Sequence, residues 1–158
     1  MLMLLFLAAS AARAETPSAP AIAITGAVEH SLKLSADDLA RLPATTETVF
    51  LHTGHGVLAG GFSGVLLWTL LQQAGVRTDP AIKNDIVRHS VVVTGRDGYG
   101  ATLSLGEIAP EFGGDQAMIA TAHDGTPLAG PDGFARLIVP GDKAAGRAVE
   151  NIATIEVK

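Results

Sequence analysis

The stretch HTGHG, His52 to Gly56, packs two imidazoles, a hydroxyl and two glycines into five consecutive positions. It is the densest set of binding groups in a chain otherwise poor in reactive side chains. An imidazole can hydrogen-bond, stack on a flat ligand or ligate a metal. Three readings of His52 and His55 are therefore open: contact with a ligand, exposure on a loop, or a metal site. The last needs a third donor such as His123 or a carboxylate. Thr53 can donate to a ring nitrogen or simply end a strand. The chain contains no cysteine, which removes thiolate nucleophiles, soft thiolate metal ligands and disulfides.

Other polar groups stand out by their surroundings. Arg136 is the only charge in the apolar run FARLIV, and a guanidinium there needs a carboxylate or an anionic ligand, because an unpaired buried charge is costly. Asp142 and Arg147 flank a PGD loop, where they can pair with each other or line a pocket. Tyr99, the only tyrosine, sits in turn chemistry and can pack across a hairpin or stack on a ligand. Glu107 follows Ser104 by three residues, the spacing of a capping box. Trp68 falls within a helical pattern and reads as core.

These groups need elements to hold them. Thr46 to Leu51 is β-branched and aromatic enough for a strand, and Gly54 to Gly61, with four glycines in eight residues, reads as a loop that admits a close backbone approach. From Ser63 as N-cap, the stripe Leu67, Leu70, Leu71 and Ala74 predicts a helix that Gly75 stops. Before it, Ala21 to Thr25 and Ser31 to Leu34 read as a hairpin, and Ser35 with Asp38 caps a short helix ended by Pro43. After it, Asp79-Pro80 opens a short helix. Ser90 to Thr94 and Ala101 to Leu105 flank the turn GRDGYG. Gln116 to Ala122, Phe134 to Val139 and Ile152 to Lys158 are further strands. Short strands with a few short helices between them make an α+β chain in which β predominates.

With 158 residues, 47% of them hydrophobic, the chain has the length of one domain and is too apolar for disorder. A net charge of −5 with no Lys/Arg cluster argues against nucleic acid as a partner. Leu2 to Ala9 is a short apolar run followed by Ala12-Arg13-Ala14, the small-x-small form of a signal-peptidase site. We expect a leader at 1–14, a flexible tail at 15–20, one domain at 21–158 and export to the periplasm. The apolar run is far below the roughly 20 residues that span a bilayer.

Three segments carry a family resemblance: FSGVLLWTLLQQAGV (Phe62 to Val76); DGY (Asp97 to Tyr99) followed by SLGEIAPEF; and DGTPL (Asp124 to Leu128) with ARLIVPGDKAAGRAVENIATIEV. Together they resemble the molybdopterin-binding domain of the sulfite oxidase family, in particular its small stand-alone periplasmic members. The resemblance implies a pterin pocket. In catalytic members a cysteine at the end of the strand before the glycine-rich loop ligates molybdenum, and here that position falls at Leu51 or an immediate neighbour. Members without the cysteine resemble periplasmic pterin-binding proteins that regulate a membrane-bound cyclic-di-GMP enzyme through its periplasmic domain. A flat heterocycle with a donor edge calls for a carboxylate, a stacking face and backbone N–H groups. The resemblance makes Glu107 the candidate grip on that edge and has Arg136 face the cofactor. Ala148 and Glu150 stand where the family commonly has bulkier or cationic residues, which favours an unphosphorylated pterin over the full molybdenum cofactor. The expected site is then His52, Thr53, His55, Tyr99, Glu107, Arg136, Asp142 and Arg147. The alternatives are a molybdopterin-dependent oxidoreductase with a non-cysteine site and a small metal-binding or structural module.

Overall fold

The structure, a computed structural model, describes residues 19–158. The expected leader and nearly all of the tail lie outside the described residues. Among the described residues ten strands form two sheets. In the first, β1 (Ala21–Gly26), β2 (Leu32–Ser35), β5 (Ser90–Gly95), β6 (Gly100–Ser104) and β10 (Ile152–Val157) lie in the order β2-β1-β10-β5-β6. The second runs β3 (Thr45–Thr53), β4 (Gly56–Leu66), β7 (Met118–His123), β8 (Thr126–Pro127), and β9 (Arg136–Ile138) also pairs with β7. The fold is α+β and β-predominant, as expected.

Alternation along the strands builds two cores. Ile22, Ile24, Val91, Val93, Ile152, Ile155 and Val157 from the first sheet meet Val65, Ile119 and Leu137 from the second. Helix α2 (Leu67–Ala74) adds Leu67, Leu70, Leu71 and Ala74, all with no exposed surface. Trp68 packs against this core as expected. On the other face of the second sheet, Val49, Leu51, Phe62, Met118, Ala120, Ile138 and Ala148 form a smaller core. The two faces of β7 and β9 are therefore both buried, and Arg136 shares the parity of Ile138.

Two short helices keep their expected caps. In α1 (Ala36–Ala40) Ser35 and Asp38 form a reciprocal capping box, and in α3 (Leu105–Ile108) Ser104 and Glu107 do the same. Three expectations are corrected. Gly56 to Gly61 is not a loop, because β4 starts at Gly56 and pairs continuously with β3, leaving Gly54-His55 as a two-residue turn. Gly64 is required by packing, since a Cβ there would sit 2.1 Å from the Ile119 carbonyl oxygen, and Gly60 is required by its φ of +136°, with the His123 side chain lying where a Cβ would be. Ser63 does not cap α2, since it lies within β4 with its Oγ bonded to Thr46 Oγ1 at 2.8 Å; strand pairing with both β3 and β7 carries the chain three residues further before it turns. Asp79-Pro80 opens no helix. Asp79 Oδ1 accepts the Ala81 N–H in a local turn, which competes with helix initiation, and a 3-10 turn forms later at Asp85–Arg88.

Candidate functional site

Where the tip of the β3–β4 hairpin meets the turn between β5 and β6, the surface opens into a cleft of about 590 Å³. One wall is the hairpin tip: His52, Thr53, Gly54 and His55. Thr53 Oγ1 accepts the His55 N–H at 3.1 Å and donates to the Gly56 carbonyl at 3.2 Å, which shapes the turn. The His52 N–H donates to the Lys143 carbonyl at 3.0 Å, tying this wall to the segment opposite. Its imidazole lies edge-on to Phe50, with ring centroids 5.8 Å apart. No hydrogen bond engages the imidazole nitrogens of His52 or His55 among the described residues.

The facing wall comes from Asp97, Tyr99, Ala145 and Gly146. Asp97 Oδ1 accepts the Tyr99 N–H at 2.9 Å across Gly98, whose φ of +86° suits glycine in this turn. The Tyr99 hydroxyl donates to the Gly146 carbonyl at 2.5 Å, joining the β5–β6 turn to the 3-10 turn Ala145–Arg147. Arg136, Ala148 and Glu150 complete the lining.

The two arginines found their carboxylates. Arg136, the buried charged residue among those described, donates from Nη1 to Asp132 at 2.7 Å and from Nη2 to Glu150 at 3.0 Å. Its Nε–H is buried with no partner. Arg147 grips both Asp142 oxygens, at 3.0 and 2.6 Å, and reaches Glu107 Oε1 at 2.6 Å. Asp142 first, then Glu107, holds its guanidinium even more firmly protonated than usual.

The cleft thus brings together His52, Thr53, His55, Tyr99 and Arg136. Glu107, Asp142 and Arg147 are not among its lining residues; they brace the 3-10 turn from behind. Glu107 is fully engaged there, with Oε2 accepting the Ser104 N–H at 3.3 Å while Oε1 holds Arg147. Asp97 and Glu150 are cleft carboxylates outside the expected set. The signal for Asp97 was its place two residues before Tyr99, the spacing of a side-chain-to-backbone turn.

The structure also resolves which residue stands at the threshold of the hairpin. Leu51 is buried in the smaller core, whereas His52 lines the cleft, because successive side chains of a strand face opposite ways. His123 is occupied elsewhere: it stacks on Phe62 at 4.2 Å and contacts the Ala59 carbonyl at 2.9 Å. Among the described residues no group of three or more His, Asp or Glu is arranged to hold a metal.

The donor set suits a flat polar heterocycle. It offers imidazoles, a tyrosine face, two carboxylates and the unpartnered Arg136 Nε–H. It does not suit thiolate ligation of molybdenum, since the chain has no cysteine, and Arg136 is already neutralised by two carboxylates.

Comparison with known proteins agrees with this geometry. The chain superposes on the sulfane dehydrogenase SoxCD from Paracoccus pantotrophus with a TM-score of 0.71 at 24% identity, covering 87% of this chain. That likeness is one of fold, and this chain spans only 38% of the SoxCD chain. No curated protein matches the sequence. A family model described as an oxidoreductase molybdopterin binding domain matches residues 11–158. The chain therefore belongs to the oxidoreductase molybdopterin-binding domain family, a membership that points to a pterin or molybdopterin as the class of cofactor.

Proposed function

We propose that this chain is an exported pterin-binding protein without redox catalysis, and that its loaded form regulates a membrane-bound cyclic-di-GMP signalling enzyme through that enzyme's periplasmic domain. The observation that carries the first part is His52. It stands on the cleft near the end of β3, beside Leu51, and the resemblance puts the thiolate of catalytic relatives at Leu51 or an immediate neighbour, in a chain that has no cysteine. A pterin would stack against imidazole or Tyr99, with Asp97 and Glu150 available to its donor edge and the Arg136 Nε–H to a ring acceptor. The pairing of Arg136 with Asp132 and Glu150 leaves little positive charge for a phosphate tail, which favours an unphosphorylated pterin. The partner rests on the resemblance to cysteine-free periplasmic members.

Calorimetric titration tests the ligand. An unphosphorylated pterin is expected to bind one-to-one and at least tenfold more tightly than its phosphorylated counterpart; the reverse order would refute the preference. For the partner, the loaded protein should change the activity of the full-length membrane enzyme, and an equal effect of loaded and empty protein would refute regulation by the pterin.

A second reading, a molybdopterin-dependent oxidoreductase or its subunit with a non-cysteine site, is favoured by the family itself. It requires imidazole to serve where a soft thiolate ordinarily sets the electronics of the metal.

A further inference from the structure

Among the described residues strand β3 is an outer strand of its sheet, with β4 as its only strand neighbour. In an antiparallel pair the backbone groups of successive residues point alternately toward and away from the neighbouring strand. The His52 N–H points away from β4, to the Lys143 carbonyl. By the same alternation the N–H and C=O groups of Thr46, Thr48 and Phe50 point outward, and no hydrogen bond to them is found among the described residues. Their side chains lie on one exposed face, with Phe50 at 64% exposure.

Exposed edges are ordinarily guarded by lysine, proline, a bulge or a cover. From Thr45 to Thr53 the strand has no lysine and no proline, and its register with β4 is unbroken. The cover reaches only the tip, where Ala144 bridges His52. The edge is also self-complementary in one register. With two copies antiparallel about Thr48, Thr48 faces Thr48 of the second copy and Phe50 faces its Thr46. These are threonine–threonine and aromatic–β-branched pairs of the favourable kind. Glu47, the only charge in the strand, then faces Val49. A shift of one position toward the N-terminus would set Glu47 directly against Glu47, and a shift toward the tip would run into the Lys143–Ala144 segment. We propose that β3 pairs with β3 of a second copy in the Thr48-centred register, forming a two-fold dimer with one sheet continuous across it. About six backbone hydrogen bonds close in that register, and the clefts remain open at the far ends of the paired strands.

Sedimentation equilibrium of the full exported chain over micromolar to millimolar concentration tests this, together with T48K and F50A. The wild type is expected to shift from monomer to dimer mass. T48K, which adds like charges at the symmetry centre of an edge strand without touching the core, should weaken dimerisation at least tenfold, and F50A severalfold. A wild type that stays monomeric at 1 mM overturns the proposal, as does a dimer unaffected by T48K. Hydrogen exchange supplies a second readout: Thr46, Thr48 and Phe50 amides should gain protection with concentration. Equal protection in the dilute monomer would mean that another segment covers the edge, and would also overturn it.

Discussion

The two walls of the cleft differ in what they have left to give. On the arginine side nearly every charged group is already spoken for: Arg136 on the cleft by Asp132 and Glu150, and Arg147, which braces the 3-10 turn from behind, by Asp142 and Glu107. On the hairpin side the imidazoles of His52 and His55 are exposed, and on the facing β5–β6 turn so is the ring of Tyr99; the hydrogen bonds formed at these two turns are mainly those that shape them. The difference teaches which residues build the site and which are free to read a ligand. Paired charges in a partly buried wall hold geometry, because separating them leaves an uncompensated charge. Unpaired imidazoles on a paired hairpin lose little on binding.

Substitutions that remove one partner from the arginine wall should therefore act on stability first. The largest expected effect is Arg136→Met, which leaves the partly exposed Asp132 and Glu150 without their shared cation and should cost about 2 kcal/mol of unfolding free energy through lost charge-assisted hydrogen bonds, measured by urea titration. Loss of ligand binding without loss of stability would contradict the assignment. On the opposite wall, His52→Ala should weaken pterin binding by about 1.5 kcal/mol, roughly tenfold, while leaving the melting temperature nearly unchanged. Glu107→Gln acts on the brace behind the cleft. It should lower the melting temperature, through a loss of about 1 kcal/mol at a charge-assisted contact, and leave pterin affinity within about twofold. A selective loss of affinity would return Glu107 to the ligand.

The smallest effect concerns pH. Hydrogen bonds from Ser35, side chain first and backbone second, hold the Asp38 carboxyl below its ordinary range, outweighing the opposing effect of desolvation, with Arg41 adding a smaller pull in the same direction. A carboxyl depressed in the folded state stabilises the fold above its unfolded pKa of 3.8, and the contribution disappears as pH falls through the folded value. Ser35→Ala should thus lower the melting temperature at pH 7 and have a much smaller effect once the pH is well below 3.8. A penalty equally large in strong acid would mean that the hydroxyl acts without the carboxylate.

The readable parts of this fold were those set by local chemistry. Ser35 with Asp38 and Ser104 with Glu107 formed the capping boxes their spacing announced, and the DGY turn and the α2 stripe fell where expected. Arg136 declared its need for a partner by being the lone charge in an apolar run, and Arg147 found Asp142 across five residues. What local pattern could not supply was long-range pairing. Gly56, Gly60 and Gly61 of β4 looked like a loop because glycine is usually found in turns. In the structure Gly60 lets His123 approach the strand, a demand that depends on β7, more than 50 residues away. The same limit hid the cleft acids: Glu150 lies far from HTGHG in the chain and meets it only because the segment before β10 crosses the hairpin tip.

The central claim is that the hairpin wall holds a pterin and no molybdenum. It is tested most directly by the content of the protein purified from its native cells, with molybdenum by mass spectrometry and pterin by fluorescence of an oxidised extract of the same sample. The account predicts about one pterin per chain with molybdenum far below stoichiometry; stoichiometric molybdenum would contradict it.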